Sequence, residues 1–194
     1  MGIVWNVQED TFVVWTNVPN HPFTRRGILG VVNSVFDPLG FVSPVVLGGR
    51  LLQRQILADA PGPIDWDAPI DESFREPWNQ WKDSLDGLKD LQVPRCFLPA
   101  GTVICLQLHV FADASVKAIG LAMYTRAITN DDEVTVTLMA ADSKVGPKLA
   151  TTMPRMELCA AAEAARVSND ATKETRDFFK EVHYYSDSLS LIHI

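Results

Sequence analysis

Phe111-Ala112-Asp113-Ala114-Ser115 closes the apolar run that begins at Val103. The run reads as a strand that delivers Asp113 at its end. Working outward, Ala118 to Tyr124 is a second strand and Val134 to Ala140 a third, with the turn Thr129-Asn130-Asp131-Asp132 between them. Asp142 to Thr152 reads as a loop. Pro154 stands where a helix begins, and the alanine-rich segment from Met156 to about Val167 is strongly helical. Val182 to Tyr185 is a fourth strand, followed by Asp187. Three strands, a helix and a further strand make a mixed α+β or α/β sheet domain.

Within this half, Asp113 and Asp187 end apolar strands, and Glu157, in Pro154-Arg155-Met156-Glu157-Leu158, falls in the first turn of the helix. A strand-end aspartate, a helix glutamate and a second strand-end aspartate are the residue types from which a divalent-metal cluster is built. Such clusters hold Mg²⁺ through carboxylates and water and act on phosphodiesters. Each residue also has a plainer reading. Asp113 is a turn residue that ends its strand, Glu157 is a glutamate favoured by the helix dipole, and Asp187 is a turn or N-cap residue. Lys144, Lys148 and Arg155 precede or enter the same helix and are candidates for contacting substrate phosphates. For the two lysines the competing reading is a solvated loop, since there is no dense basic run.

The first half reads differently. Gly2-Ile3-Val4-Trp5 and Thr11-Phe12-Val13-Val14-Trp15 form a hairpin about the polar turn Gln8-Glu9-Asp10. An isolated hairpin is marginal, so this one is expected to complete a sheet whose other strands lie upstream. Thr24 caps a short helix with Ile28, Leu29, Val32 and Val35 at helical spacing. Ser43-Pro44 opens a second helix to about Ala60, with Ser43 as its cap. Gly48-Gly49 inside it implies close packing or a bend, or equally a loose helix. A third helix runs from Asp71 to Leu88, its stripe of Phe74, Trp78, Trp81 and Leu85 facing a core. Pro94 to Gly101 reads as a linker.

Composition bounds the answer without choosing a function. With 194 residues, 47% hydrophobic and 21% charged, the chain is long enough for one or two globular domains. No apolar run approaches the ~18–20 residues that span a bilayer, so a soluble chain without a membrane partner is expected. Cys96, Cys105 and Cys159 have no metal-ligand spacing, and a reducing intracellular compartment is the simplest reading. The net charge is −7. Residues 1–102 hold 8 basic and 12 acidic residues, and residues 103–194 hold 9 and 12, so neither half is a basic nucleic-acid platform.

An ordered series of motifs is more specific than any single one. Gly27-Ile28-Leu29, then Ser34-Val35-Phe36-Asp37-Pro38-Leu39-Gly40-Phe41-Val42-Ser43-Pro44, Pro94-Arg95-Cys96, the Asp113 segment, Lys144-Val145-Gly146-Pro147 and Pro154-Arg155-Met156-Glu157-Leu158-Cys159-Ala160-Ala161 follow one another. In order and spacing this series resembles the Pol polyprotein of BEL/Pao-type LTR retrotransposons. The resemblance implies the end of a reverse-transcriptase palm over residues 1–20 and a helical thumb or connection region over 21–100. It implies a ribonuclease H-like domain, incomplete at its C-terminus, over 101–194. In that domain the first and fourth strands are adjacent and parallel. Asp113, Glu157 and Asp187 then correspond to the catalytic carboxylates, binding two Mg²⁺ or Mn²⁺ ions and hydrolysing the RNA strand of an RNA/DNA hybrid. The implied partners are that hybrid, the upstream palm and the downstream integrase region. The implied location is an intracellular, cytoplasmic virus-like particle with a nuclear phase. A non-catalytic connection module is the competing reading.

The chain also departs from the family pattern. The polymerase motif of an aromatic residue followed by paired aspartates is absent, and Asp131-Asp132 lies in a polar turn. A fourth acidic residue after a fifth strand is not reached, and Leu189 to Ile194 fits the family less well. The family also bears an aspartic-peptidase label, yet no Asp-Thr-Gly or Asp-Ser-Gly occurs; Asp187-Ser188 continues with Leu189. A sheet that lacks its fifth strand has an open edge, so the 194-residue chain is expected to self-associate. Light scattering checks this, and a monodisperse monomer would refute it.

Overall fold

The computed structural model describes residues 2–15, 17–59, 64–147, 152–175 and 178–187. The chain forms two compact units, Met1–Arg95 and Cys96–Ile194.

In the first unit, β1 (Gly2–Asn6) and β2 (Thr11–Trp15) pair antiparallel from Gly2↔Trp15 to Asn6↔Thr11. Asp10 closes the hairpin with φ 49°, and its carboxylate accepts from Trp5 Nε1 at 3.0 Å and from Arg95 Nε at 2.6 Å. A third strand, β3 (Gln92–Pro94), pairs antiparallel with β2. The sequence reading began a linker at Pro94. A strand of three residues is too short to show alternation, and its proline is tolerated because β3 is an edge strand.

Helix α1 (Arg25–Ser34) is capped as expected, with Thr24 Oγ1 accepting from Gly27 N at 3.1 Å. Helix α2 (Ser43–Ala58) follows, but Ser43 is its first helical residue and not its cap. Its N-cap is Val42, with no side-chain cap bond, and just ahead of it the Asp37 carboxylate accepts from Phe41 N at 3.0 Å and Val42 N at 2.8 Å. The third helical segment is a 3₁₀ turn (Glu72–Phe74) capped by Asp71 and then α3 (Arg75–Asp86). Trp78, Trp81 and Leu85 are buried with Val14, Ile28, Val32, Val46 and Ile56, so the hairpin and the helices share one core. The tryptophan stripe is core, as its helical spacing predicts.

Trp81 also explains Gly48-Gly49. Its Nε1 donates to Val45 O at 2.8 Å, which lays the indole across α2. A Cβ at position 49 would stand 2.4 Å from Trp81 Cζ2, whereas one at position 48 would stand 3.4 Å from Cδ1.

The second unit is a four-stranded sheet in the order β6-β5-β4-β7, made of β4 (Val103–Ala114), β5 (Ala118–Thr129), β6 (Val134–Val145) and β7 (Glu181–Tyr185). β4 pairs antiparallel with β5, β5 antiparallel with β6, and β4 parallel with β7. Helix α4 (Met153–Glu174) starts earlier and ends later than its alanine-rich centre suggests. β6 runs on to Val145, so Lys144 lies in a strand and not in a loop. One face of β4 alternates into the core as Leu106, Leu108, Val110 and Ala112, and α4 covers it with Ala160 and Ala164. No helix among the described residues is long and apolar enough to cross a membrane.

The glycine geometry predicts opposite effects at adjacent positions. Gly49→Ala overpacks Trp81 and destabilises the fold by about 1–3 kcal/mol. Gly48→Ala meets ordinary contact and changes stability by less than about 1 kcal/mol, in the stabilising direction. Urea denaturation of the two variants checks the contrast.

Candidate functional site

Parallel pairing of β4 with β7 runs from Gln107↔Glu181 to Phe111↔Tyr185. Asp113 and Asp187 each stand two residues past that last pair, at the same end of the sheet. Asp113 is exposed and still within β4, and its Oδ1 accepts from the amide of Ala114 at 2.7 Å. Strand alternation assigns it a face. Ala112 turns toward α4, so Asp113 shares the opposite face with Phe111 and His109.

Glu157 is half-buried on α4. Because the helix begins at Met153, Glu157 is its fifth residue and opens the second turn, not the first. The start of the helix is fixed by Met156, which is 1% exposed, and by its inward stripe of Met156, Ala160, Ala164 and Ser168. Met156 rests on Gly146, where a Cβ would come within 2.9 Å of its Cε and 3.2 Å of Lys117 O. Gly146 N donates to that same carbonyl at 2.8 Å. The Lys144-Val145-Gly146-Pro147 motif thus seats the helix that bears Glu157. At the other side, Ser168 Oγ and Tyr184 Oη lie 2.8 Å apart and join α4 to β7.

These placements do not add up to a metal centre. Among the described residues, which include Asp113, Glu157 and Asp187, no group of three or more histidine, cysteine or acidic side chains is arranged to hold an ion. Strand alternation sets Asp113 on the face of β4 away from α4, the helix that carries Glu157.

The candidate phosphate contacts separate as well. Lys144 Nζ lies 2.5 Å from Glu163 Oε1 and 3.9 Å from Asp142 Oδ2, so its charge is committed to the junction of β6 with α4. Arg155 is exposed near the start of α4. Lys148 lies outside the described residues. Sequence reasoning missed Glu163, which also accepts from Arg166 Nη2 at 2.5 Å, while Arg166 reaches on to Asp170 at 3.1 Å. Hydrogen bonds from Arg166 and then Lys144 lower the Glu163 carboxyl to about 2. The Glu163/Arg166 spacing is the sequence signal that was available.

A Pao retrotransposon-like RNaseH-like domain matches residues 24–188. The chain belongs to this family. The match runs from the cap of α1 to just past β7, and so covers helices of the first unit of this Pao chain as well as the sheet unit. The fold is similar to that of the foamy viral protease-reverse transcriptase dRH solved in complex with ds DNA. That alignment covers 98% of the Pao chain and 32% of the viral one, with a TM-score of 0.52 and 13% identity. The foamy viral protease-reverse transcriptase in complex with dsDNA aligns over 92% and 33% of the two chains, with a TM-score of 0.49 and 16% identity. The Pao chain thus spans about a third of the length of these proteins. At 13% identity the first likeness establishes the fold alone, here a mixed α+β one; that it is ribonuclease H-like rests on the family match. No curated protein matches the chain.

The depressed Glu163 carboxyl fixes the sign of an acid response. The contribution of Glu163 is complete above the unfolded value of 4.5 and is lost as pH falls toward about 2. Lys144 and Arg166 are 45% and 57% exposed, so solvent screening leaves roughly 1–2 kcal/mol. Glu163→Gln is expected to remove that amount at pH 7 and to flatten the stability profile between pH 4.5 and about 2. Denaturant titrations across that range check it.

Proposed function

We propose that this segment of a Pao-type Pol protein acts on the RNA/DNA hybrid formed in reverse transcription, hydrolysing its RNA strand, with Asp113, Glu157 and Asp187 as its carboxylates. The observation that supports this is the matched position of Asp113 and Asp187 beyond the parallel pair Phe111↔Tyr185, with α4 packed on the same β4 strand. The resemblance to ribonuclease H-like domains implies two-metal chemistry with Mg²⁺ or Mn²⁺. Among the described residues the three carboxylates do not form one metal-holding group. On this proposal they converge only when hybrid and the neighbouring parts of the Pol protein are present, among them the upstream palm and the downstream integrase region. Hybrid would be read by its shape and 2′-hydroxyls, and a net charge of −7 leaves most of the phosphate affinity to those neighbours. The site of action would be a cytoplasmic virus-like particle with a nuclear phase, which fractionation of cells expressing the full Pol protein would test.

A second reading is a connection module in which the sheet is kept as scaffold, without catalysis.

Asp113→Asn in a full-length Pol protein separates the two. Removing one carboxylate of a metal site is expected to lower cleavage of hybrid RNA by roughly 100-fold or more while hybrid binding persists. Unchanged cleavage would exclude the nuclease assignment and leave the scaffold.

A further inference from the structure

The sheet face opposite α4 carries a column of four rings that none of the foregoing uses. His183 stacks on His109 with centroids 4.8 Å apart and planes at 21°. His109 stacks on Tyr185 at 5.7 Å and 14°, and Tyr185 on Phe111 at 4.6 Å and 13°. Tyr124 of β5 closes the column edge-on to Phe111 at 5.8 Å. The rings alternate between β4 and β7, so the column bridges the one strand pairing that holds β7 in the sheet.

Two imidazoles in contact across that pairing make it sensitive to protons. His109 Nδ1 lies 2.9 Å from Tyr185 Oη. Its Nε2 is buried and has no hydrogen-bond partner among the described residues. In a neutral ring one nitrogen is a donor and the other an acceptor. A protonated ring has to donate from both, and Nε2 meets no acceptor.

The charged and polar surroundings are these. From β5, Arg126 Nη1 donates to Gln107 Oε1 at 2.9 Å. Gln107 of β4 in turn donates to Glu181 Oε2 of β7 at 2.8 Å, and His183 Nε2 lies 3.0 Å from the same oxygen. Glu181 is therefore the one anion facing the pair among the described residues, and it is engaged by Gln107 and His183.

We propose that the stacked His109–His183 pair is a proton-operated latch on β7: neutral imidazoles hold the strand against β4, and acidification loosens it. Supporting this, burial, followed by the neighbouring His183 and Arg126 charges, pushes His109 below the usual histidine range. The sign follows. The unfolded state takes up the proton more readily than the folded one, so stability is complete above about pH 7.5 and falls as pH drops through 6.5. Glu181 is shifted downward by Gln107 and His183, so it acts in a separate window below pH 4.5. Because β7 leads to Asp187 and β4 to Asp113, opening the latch draws the two aspartates apart. The inference does not depend on either of them binding metal.

Amide hydrogen exchange of the full chain at pH 7.5 and 5.5, expressed as protection factors, tests the latch. Protection of Val182 to Tyr185 is expected to fall by roughly threefold or more at the lower pH, while the central β5 amides keep theirs. His109→Phe keeps a ring in the stack without the charge and is expected to make β7 protection independent of pH in this window. Equal β7 protection of the unaltered chain at both pH values would overturn the latch. So would a pH dependence that persists in His109→Phe. If His109→Phe does not fold, His109→Leu, which likewise removes the charge, is read by the same criterion. A histidine ring-proton titration is the independent check: His109 titrating above 6.5 would also overturn it.

Discussion

Parallel pairing of β4 with β7 is the constraint on which the second unit depends. It joins a strand near the start of the unit to one near its end, and the segment between has to supply two further strands and a helix before the chain returns. Loop-closure entropy opposes such a long return, and the unit offsets it on both faces of β4. On one face, α4 buries Ala160 and Ala164 over Leu108, Val110 and Ala112. On the other, the stacked rings tie β4 to β7 directly. Asp113 and Asp187 share an end of the sheet only because this pairing is in register.

The ionic cluster of Lys144, Glu163 and Arg166 pins the outer strand β6 to α4. It lies at the same end of the sheet as Asp113, since Ser143, Gly120 and Asp113 pair in one row across β6, β5 and β4. Its carboxylate is 18% exposed, whereas Asp113 and Asp187 are exposed. Charge that the sequence offered to a substrate is thus spent on architecture at β6, while Asp113 and Asp187 stay open to solvent.

Much of the fold was legible because the local signals agree. Thr24 ahead of the α1 pattern, Trp78 and Trp81 at helical spacing, and the long apolar runs of β4 and β5 each have one competent reading, and the structure follows it. The misses share a cause. The cap of α2 is Val42 and not Ser43, because the Asp37 carboxylate upstream holds the amides of Phe41 and Val42, which periodicity does not see. β3 exists only by pairing with β2, more than seventy residues distant. Lys144 reads as loop because Asp142, Ser143 and Lys144 are polar, yet the pairing of β6 with β5 carries them into the strand. For the candidate site, the order and strand-end positions of the two aspartates were readable. The face on which each carboxylate sits is a tertiary property, set by strand alternation against a helix whose starting residue the sequence placed too late.

The ring column has a consequence for what this surface offers. The inner rings spend both faces on their neighbours, Tyr185 between Phe111 and His109, and His109 between Tyr185 and His183. An unpaired base meets no vacant slot between them, and stacking of the kind that aromatic platforms give to single strands is closed off. What is left outward is a row of ring edges, electropositive in Phe111 and Tyr185, beside the guanidinium of Arg126. Between the stacked members, anything that approaches this face therefore meets ring edges and a guanidinium, and not ring faces.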